Sequence, residues 1–274
     1  MIESWKTVAV AGVGLIGGSF ALALRKAGFK GSIIGVSSPP TVKAALAMGV
    51  IDEALPLDVA SERADMVYLA QPIEKILASL SAVDAAVRPG TLITDAGSTK
   101  GAIVDRAAKV IRRGRFVGGH PMSGKESRGV QSADAGLFEG RPYVLTDSDA
   151  ELEKWIAKMG ARLVRLDAAE HDRLVAKVSH LPQVLSTALA LTLGKDAAAA
   201  QVAGPAASDM TRLAMSPYEV WHPIFATNAA HIEQEISALI VELERLRKAI
   251  EQDQSLATDF ERAAESSLAF RKAK

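Results

Sequence analysis

The stretch TVAVAGVGLIGGSFALALRKA (Thr7–Ala27) decides the fold. It opens on an apolar run, Val8-Ala9-Val10-Ala11, with the length and character of a buried parallel strand. Gly12, Gly14 and Gly17 follow at the spacing G-x-G-x-x-G, and Ser19 to Lys26 reads as a helix. In a strand–turn–helix of this kind the first glycine permits the tight bend. The second lets backbone approach a pyrophosphate, and the third lets helix pack on strand. The helix start then offers unpaired N–H groups and a positive dipole end to the phosphates. Gly12, Gly14, Leu15, Ile16 and Gly17 are the expected cofactor-binding turn. The fold class that follows is an α/β Rossmann-type doubly wound parallel sheet. A glycine-rich turn without a ligand would carry the same three glycines; the flanking strand and helix favour a dinucleotide.

Working outward, Ser32–Val36 (SIIGV) reads as a second strand. An acidic residue at its end would hold the ribose hydroxyl of NAD. Ser37 and Ser38 stand there instead, and no carboxylate repels a 2′-phosphate. Two hydroxyls, nearby N–H groups and Lys43 favour NADP, with NAD possible. The alternative is that Ser-Ser-Pro-Pro is only a loop and a helix start. Asp65 to Ala70 is a further buried strand ending at Gln71-Pro72, followed by a helix over Ile73 to Val87 and a strand over Thr91 to Thr94. This rhythm predicts a parallel sheet with ligands beyond the carboxyl ends of its strands. Gln71 and Pro72, Asp95 to Lys100, and His120 to Gly124 fall at those ends.

Within Asp95 to Lys100, Ser98 or Thr99 is expected to cap a helix over Gly101 to Ile111 while Asp95 braces the turn. Ser98 is also placed to donate to a substrate oxygen or the nicotinamide. Phe116 to Gly119 reads as the last parallel strand, with His120 at its tip. A histidine there is either structural or a base that takes a hydroxyl proton near neutral pH. After Gly124 come Lys125, Glu126 and Arg128, then an expected helix through Ala135, a strand Pro142 to Thr146, a helix Asp149 to Met159 and a strand Arg162 to Arg165. The dinucleotide-binding domain is expected to span 1–166 and a helical substrate and dimerisation domain 167–274. Beyond Asp167 no strand is expected. Helical runs cover Ala168 to Val178, Leu181 to Leu193, Ala197 to Ala203, Tyr218 to Arg247 and Ala257 to Phe270. Among them His180 caps, packs or lines a cleft. Arg212 carries a fork suited to a carboxylate, and Trp221 reads as packing. The stripe Ile232, Ile236, Leu239, Ile240, Leu243, Leu246, Ile250 calls for a partner surface, most simply a homodimer.

Lys+Arg and Asp+Glu both count 32, so no basic face marks the chain for nucleic acid or an anionic membrane. The absence of cysteine excludes disulfides and thiolate chemistry. The five histidines are dispersed and show no metal-ligand spacing, so no metal is expected. No apolar stretch reads as an uninterrupted membrane span, and MIESWKTVAV has no signal-peptide character, so a cytoplasmic protein is expected.

Taken together, GVGLIGGS (Gly12 to Ser19), DAGSTK (Asp95 to Lys100), GGHPMSGKE (Gly118 to Glu126), SHLPQ (Ser179 to Gln183) and SDMTRLA (Ser208 to Ala214) resemble the prephenate/arogenate dehydrogenases of tyrosine biosynthesis. The resemblance implies oxidative decarboxylation of a cyclohexadienyl acid with hydride transfer to NAD(P). It implies that His120 draws the proton of the 4-hydroxyl and that Ser98 helps place that hydroxyl. It implies that Arg212 binds a substrate carboxylate, with His180, Gln183, Ser123 and Glu126 at the same site in a cleft between the two domains. Many prephenate-using relatives carry a second histidine where this chain has Gln183. With Ser37-Ser38, that departure resembles the NADP-linked, arogenate-preferring members. Two other readings share the domain plan. One is a 3-hydroxyacid or imine reductase, which lacks GGHPMSGKE; the other is a non-catalytic dinucleotide-binding protein.

Overall fold

The structure is a computed structural model that describes residues 5–125 and 127–272. It divides into two compact units. Among the described residues, the first takes 5–125, 127–173 and 216–227, and the second 174–215 and 228–272.

The first unit begins with β1 (Thr7–Ala11), α1 (Leu15–Lys26), β2 (Ser32–Val36), α2 (Pro39–Ala47), β3 (Glu53–Ala54) and α3 (Leu57–Arg63). It continues with β4 (Met66–Leu69), α4 (Ile73–Ala86), β5 (Leu92–Asp95), α5 (Gly101–Val110) and β6 (Arg115–Val117). These six strands form one parallel sheet in the order β3-β2-β1-β4-β5-β6. The chain winds outward from β1 in one direction and then, from β4, in the other, which is the doubly wound Rossmann order. Val8, Ala9, Val10 and Ala11 of β1 are completely buried, as are all four residues of β4. Strands covered on both faces have no polar side to alternate with, hence their unbroken apolar sequences. Phe20 of α1 stacks on Tyr68 of β4 with ring centroids 3.9 Å apart, fixing helix to sheet.

The strand expected over Phe116 to Gly119 is instead two. β6 ends at Val117, and Gly118 carries the chain into a second sheet through β7 (Gly119–Pro121). That sheet has the order β7-β8-β9, with β8 (Pro142–Leu145) antiparallel to β7 and parallel to β9 (Arg162–Arg165); α6 (Ala150–Lys158) connects the last two. His120 is therefore the middle residue of β7, opposite Val144, rather than the tip of a parallel strand. Gly118 makes the switch because its N–H donates to Thr146 Oγ1 at 3.0 Å, and a Cβ there would press on that same hydroxyl. The Tyr143 hydroxyl donates to Tyr68, joining the two sheets inside the core, and burial pushes both phenols up so that they stay neutral. The helix expected after Arg128 through Ala135 is reduced to a 3₁₀ turn at Val130–Ser132. Gly129 there takes φ +82°, a conformation that resists helix, and Asp134 folds back on the Gly136 N–H.

The rest of the chain, which includes the second unit, is helical, and no strand occurs beyond β9 among the described residues. α7 (Ala168–Val175) passes through a π-helical turn, Ala176–His180, into α8 (Leu181–Leu193). By length and composition alone this continuous 26-residue run could cross a membrane, but Glu170 to Arg173, Lys177 and His180 interrupt it. Two of its buried polar groups, Gln183 and Ser186, are bonded to the turn at Arg212–Met215, as in a packed helix. Ala197–Val202 is a 3₁₀ stretch; α9 (Pro205–Thr211) and a 3₁₀ turn at Arg212–Met215 follow. α10 (Tyr218–Glu251) is kinked at Asn228, where φ is −136°, and α11 (Ala257–Lys272) completes the described chain.

Candidate active site

The turn after β1 has the geometry its glycines require. Gly12 takes φ +94°, and a Cβ there would lie 2.5 Å from the Ala70 carbonyl oxygen. A Cβ on Gly17 would be driven onto the Gly12 carbonyl oxygen, so the start of α1 packs directly against the turn. Gly14, the N-cap of α1, has nothing within 4 Å of a Cβ position and no side-chain cap. The N–H groups of Leu15 and Ile16 begin the helix behind it, and their side chains pack on the core.

A cavity of about 500 Å³ opens on this turn, lined by Gly12, Gly14, Ser37, Ser38, Gln71, Pro72 and Lys75. Gln71 Oε1 is buried with no hydrogen-bond partner among the described residues. An orphaned acceptor, an open glycine and an uncapped helix start are what a bound dinucleotide would satisfy, so the residues present fit that group. Ser38 Oγ lies 2.9 Å from Thr41 Oγ1 at the rim. The lysine lining the cavity is Lys75 of α4, not Lys43 of α2.

At the end of β5, Asp95 is fully buried and ion-paired with the equally buried Lys100. Burial pushes the Lys100 ammonium down, and Asp95 opposes that shift. Asp95 also accepts the Gly97 N–H at 2.8 Å and the Gly119 N–H at 3.1 Å. The bracing role expected of Asp95 therefore holds, and it extends to the strand that carries His120. The capping role expected of Ser98 or Thr99 does not. Thr99 Oγ1 lies 2.7 Å from Thr227 Oγ1, and α5 has no side-chain cap from its own turn. Its first N–H groups, on Lys100 and Gly101, donate instead to Asp172 at 2.7 and 2.8 Å. Ser98, relieved of capping, is half-buried at the turn between Gly97 and Thr99.

His120 is half-buried, and its Nδ1 lies 2.8 Å from Nε2 of His171. His171 Nδ1 in turn lies 2.8 Å from Asp172 Oδ1. Burial raises the Asp172 carboxyl, but hydrogen bonds from His171 and from the Lys100 and Gly101 N–H groups outweigh it and hold Asp172 below the usual carboxylate range. Sequence reading missed this pair; an adjacent His-Asp at a helix start was the only local sign. Further along, Ser123 Oγ is buried with no partner among the described residues, a donor awaiting an acceptor. Glu126 lies outside the described residues.

In the second unit, His180 is buried at the end of the π-helical turn, and its Nδ1 lies 3.3 Å from the Asn228 amide at the α10 kink. Asn228 Oδ1 is 2.8 Å from His231 Nδ1. A π-turn and a helix kink meeting at one histidine are local irregularities of the kind that gather at functional positions. Gln183 is buried, and its amide nitrogen donates to the Leu213 carbonyl at 2.9 Å and to Thr187 Oγ1 at 3.3 Å. Ser186 Oγ accepts the Ala214 N–H at 3.1 Å. These bonds fix the short turn at whose head Arg212 stands, exposed. Trp221 is half-buried, with its indole N–H on Ser216 Oγ and its ring beside Phe225, consistent with packing.

Comparison with known proteins gives this geometry its family. Residues 20–170 match the family model for the prephenate dehydrogenase nucleotide-binding domain, and residues 167–262 match the one for the prephenate dehydrogenase dimerization domain. Prephenate dehydrogenase of Lactococcus lactis is 34% identical over 232 residues, which are 81% of this chain and 65% of that protein. This chain thus spans a little under two-thirds of that relative's length. Prephenate dehydrogenase from A. aeolicus, crystallised with hydroxyphenyl propionate and NAD+, superposes with a TM-score of 0.86 at 27% identity, covering 100% of both chains. Synechocystis arogenate dehydrogenase superposes with a TM-score of 0.80 at 27% identity, covering 97% of this chain and 99% of that one. A doubly wound sheet with its glycine turn, followed by a helical domain that matches its own family model, leaves one conclusion: the chain belongs to the prephenate dehydrogenase family.

Proposed function

We propose that the protein oxidatively decarboxylates a cyclohexadienyl acid, with His120 as the base at the 4-hydroxyl. The observation that carries this is the double hold of Asp95 on Gly97 and Gly119, which keeps the Ser98 turn and the His120 strand together at the end of the sheet. The nicotinamide, bound through the glycine turn and the Gln71 cavity, supplies the hydride acceptor. His120 takes the hydroxyl proton as hydride leaves C4, so that a carbonyl forms there rather than a cation. The bond to the ring carboxylate then breaks, CO2 departs, and its electron pair makes the ring aromatic. The proton returns to the phenolic oxygen. Ser98 orients the hydroxyl, Ser123 and Glu126 belong to the substrate side, and Arg212 pairs with a substrate carboxylate.

The NADP reading is supported by the absence of an acid at Ser37-Ser38 and by Lys75 in the same cavity lining. Arogenate is the favoured substrate, because the neutral Gln183 stands where many prephenate-using relatives place a histidine. His180 lines the substrate side. The protein acts as a cytoplasmic homodimer with no nucleic-acid or membrane partner. Part of its helical stripe is bare in the single chain, with Ile240 49%, Leu243 51% and Ile250 67% exposed, as is Phe260 of α11 at 73%, and a twofold partner would cover these residues.

The test is kcat/KM for arogenate and prephenate, each with NAD and NADP, in the wild type and in His120→Asn. The wild type should form a phenolic product, fastest with arogenate and NADP. His120→Asn should lower kcat at least about a hundredfold with NADP affinity retained. Unchanged turnover in the variant removes His120 from the chemistry; no phenolic product from either acid removes the activity.

A further inference from the structure

His171 and Asp172 open no cavity and carry no motif, yet His171 is completely buried and Asp172 is 4% exposed. A histidine is seldom placed in a core without work for both ring nitrogens. Here both are engaged: Nδ1 on Asp172 at 2.8 Å and Nε2 on His120 at 2.8 Å. The rings of His120 and His171 meet edge to face, with centroids 5.1 Å apart. At the far end, the Asp172 carboxylate sits on the first N–H groups of α5, where the helix dipole favours a negative charge.

The direction of the protons follows from Asp172. An ionised carboxylate only accepts hydrogen bonds, so His171 carries its proton on Nδ1. Neutral His171 then presents a lone pair at Nε2, and the contact to His120 requires the His120 proton to sit on Nδ1. The basic lone pair of His120 is thereby assigned to Nε2. Were Asp172 absent, either tautomer of each ring would serve, and half of the arrangements would place a proton where a base needs a lone pair.

We propose that His171 and Asp172 are positioning residues that hold His120 in the Nε2-basic tautomer and stabilise the imidazolium it becomes. The proposal rests on the reading of His120 as the base. In the step, the substrate hydroxyl proton passes to His120 Nε2 while the Nδ1 proton stays on the hydrogen bond to His171. The positive charge is then opposed by the Asp172 carboxylate through His171, and the same proton goes back to the phenolic oxygen after CO2 leaves.

Asp172→Asn tests this. Oδ1 of Asp172 receives both the Lys100 N–H and His171 Nδ1, so an asparagine keeps its oxygen there, loses the bond from the Gly101 N–H and carries no charge. The imidazolium that forms on His120 then has no counter-charge at the end of the chain, and His171 is no longer bound to a carboxylate that fixes its tautomer. A carboxylate-to-amide change behind the histidine of the serine protease triad costs about ten-thousandfold in kcat. Asp172→Asn should lower kcat at least about a hundredfold, with KM and the dissociation constant for NADP within about threefold of wild type. The double variant His120→Asn, Asp172→Asn should be no slower than His120→Asn alone, because both changes act through one group. A merely structural Asp172 would instead multiply the losses. If Asp172→Asn does not fold, the pair His171→Gln and His171→Leu carries the test. The glutamine oxygen can accept from His120 Nδ1 and should retain at least about tenfold more kcat than leucine. A wild-type kcat in Asp172→Asn beside a crippled His120→Asn overturns the dyad alone, as does equal activity of the two His171 variants. Full turnover in His120→Asn overturns the base reading, and the dyad's role with it.

Discussion

Asp95 Oδ1 accepts the backbone N–H of Gly119 at 3.1 Å, so the last residue of a strand in one sheet holds the first residue of a strand in another. Only a glycine tolerates this approach, since a Cβ at 119 would lie 2.6 Å from the Asp95 carbonyl oxygen. The contact sets where His120 stands, one residue on.

The first prediction follows from the counter-ion of that carboxylate. Lys100 and Asp95 are paired with no exposure of either side chain. Lys100→Met removes one charge and strands the other in the core. The expected loss is about 3–5 kcal/mol of unfolding free energy, read from urea denaturation. A loss under about 1 kcal/mol would mean that Asp95 is already held by Gly97 and Gly119 alone.

The glycine turn separates folding from binding. Gly17→Ala should destabilise the protein by several kcal/mol, because its methyl meets backbone rather than a movable side chain. Gly14→Ala meets nothing within 4 Å. It should melt with the wild type to within a few degrees, yet bind dinucleotide at least about tenfold more weakly, because its methyl occupies the approach to the pyrophosphate. Thermal melts with and without NADP check both. Undiminished affinity in Gly14→Ala would move the cofactor off this turn.

What was legible in the sequence was what is encoded locally. β2 runs over Ser32–Val36 as expected, and α4 and α5 end within a residue of their predicted limits, since apolar period and Pro-Gly punctuation mark them. The three glycines announced their turn for the same reason. What was not legible depends on residues distant in sequence. The cap of α5 comes from Asp172, about seventy residues downstream, so local rules pointed to Ser98 and Thr99. The exit of the chain at Gly118 into a second sheet turns on Thr146, and the partner of His120 is a histidine 51 positions away. Lys75 lines the cavity in place of Lys43 because it stands in the first turn of α4, directly after Gln71 and Pro72 of the same lining.

Acid stability offers a prediction outside the site. Asp84 of α4 is 5% exposed and accepts the N–H groups of Arg112, Arg113 and Gly114 at 2.9, 3.0 and 2.9 Å. Burial raises its carboxyl, but these three bonds and the Arg113 charge hold it below the usual range. A carboxyl depressed in the folded state binds fewer protons there than when unfolded. Its stabilisation is complete above the unfolded value of about 3.9 and is lost as pH falls through the folded one. Asp84→Asn should be about 1–3 kcal/mol less stable at pH 7. It should also lose less additional stability than wild type as pH is lowered from about 4.5 to 3. Urea midpoints across that range decide it; parallel slopes for the two proteins would remove Asp84 from the acid response.

Cofactor choice gives the last prediction. Lys75 lines the same cavity as Ser37 and Ser38, and no carboxylate stands at the end of β2. If the 2′-phosphate of NADP is received there, its partner is an exposed ammonium, worth about 1 kcal/mol and sensitive to salt. Lys75→Ala should weaken NADP about fivefold and leave NAD within about twofold, and the NADP difference should shrink between 50 and 500 mM salt. Placing an acid at the strand end, Ser37→Asp, should act in the same direction and more strongly, because the new charge repels the phosphate while accepting a hydrogen bond from the NAD ribose. Titration of both variants with both dinucleotides checks the pair. If Lys75→Ala weakens NAD and NADP equally, the lysine meets the pyrophosphate that both share, and the selectivity for NADP must come from the serines alone.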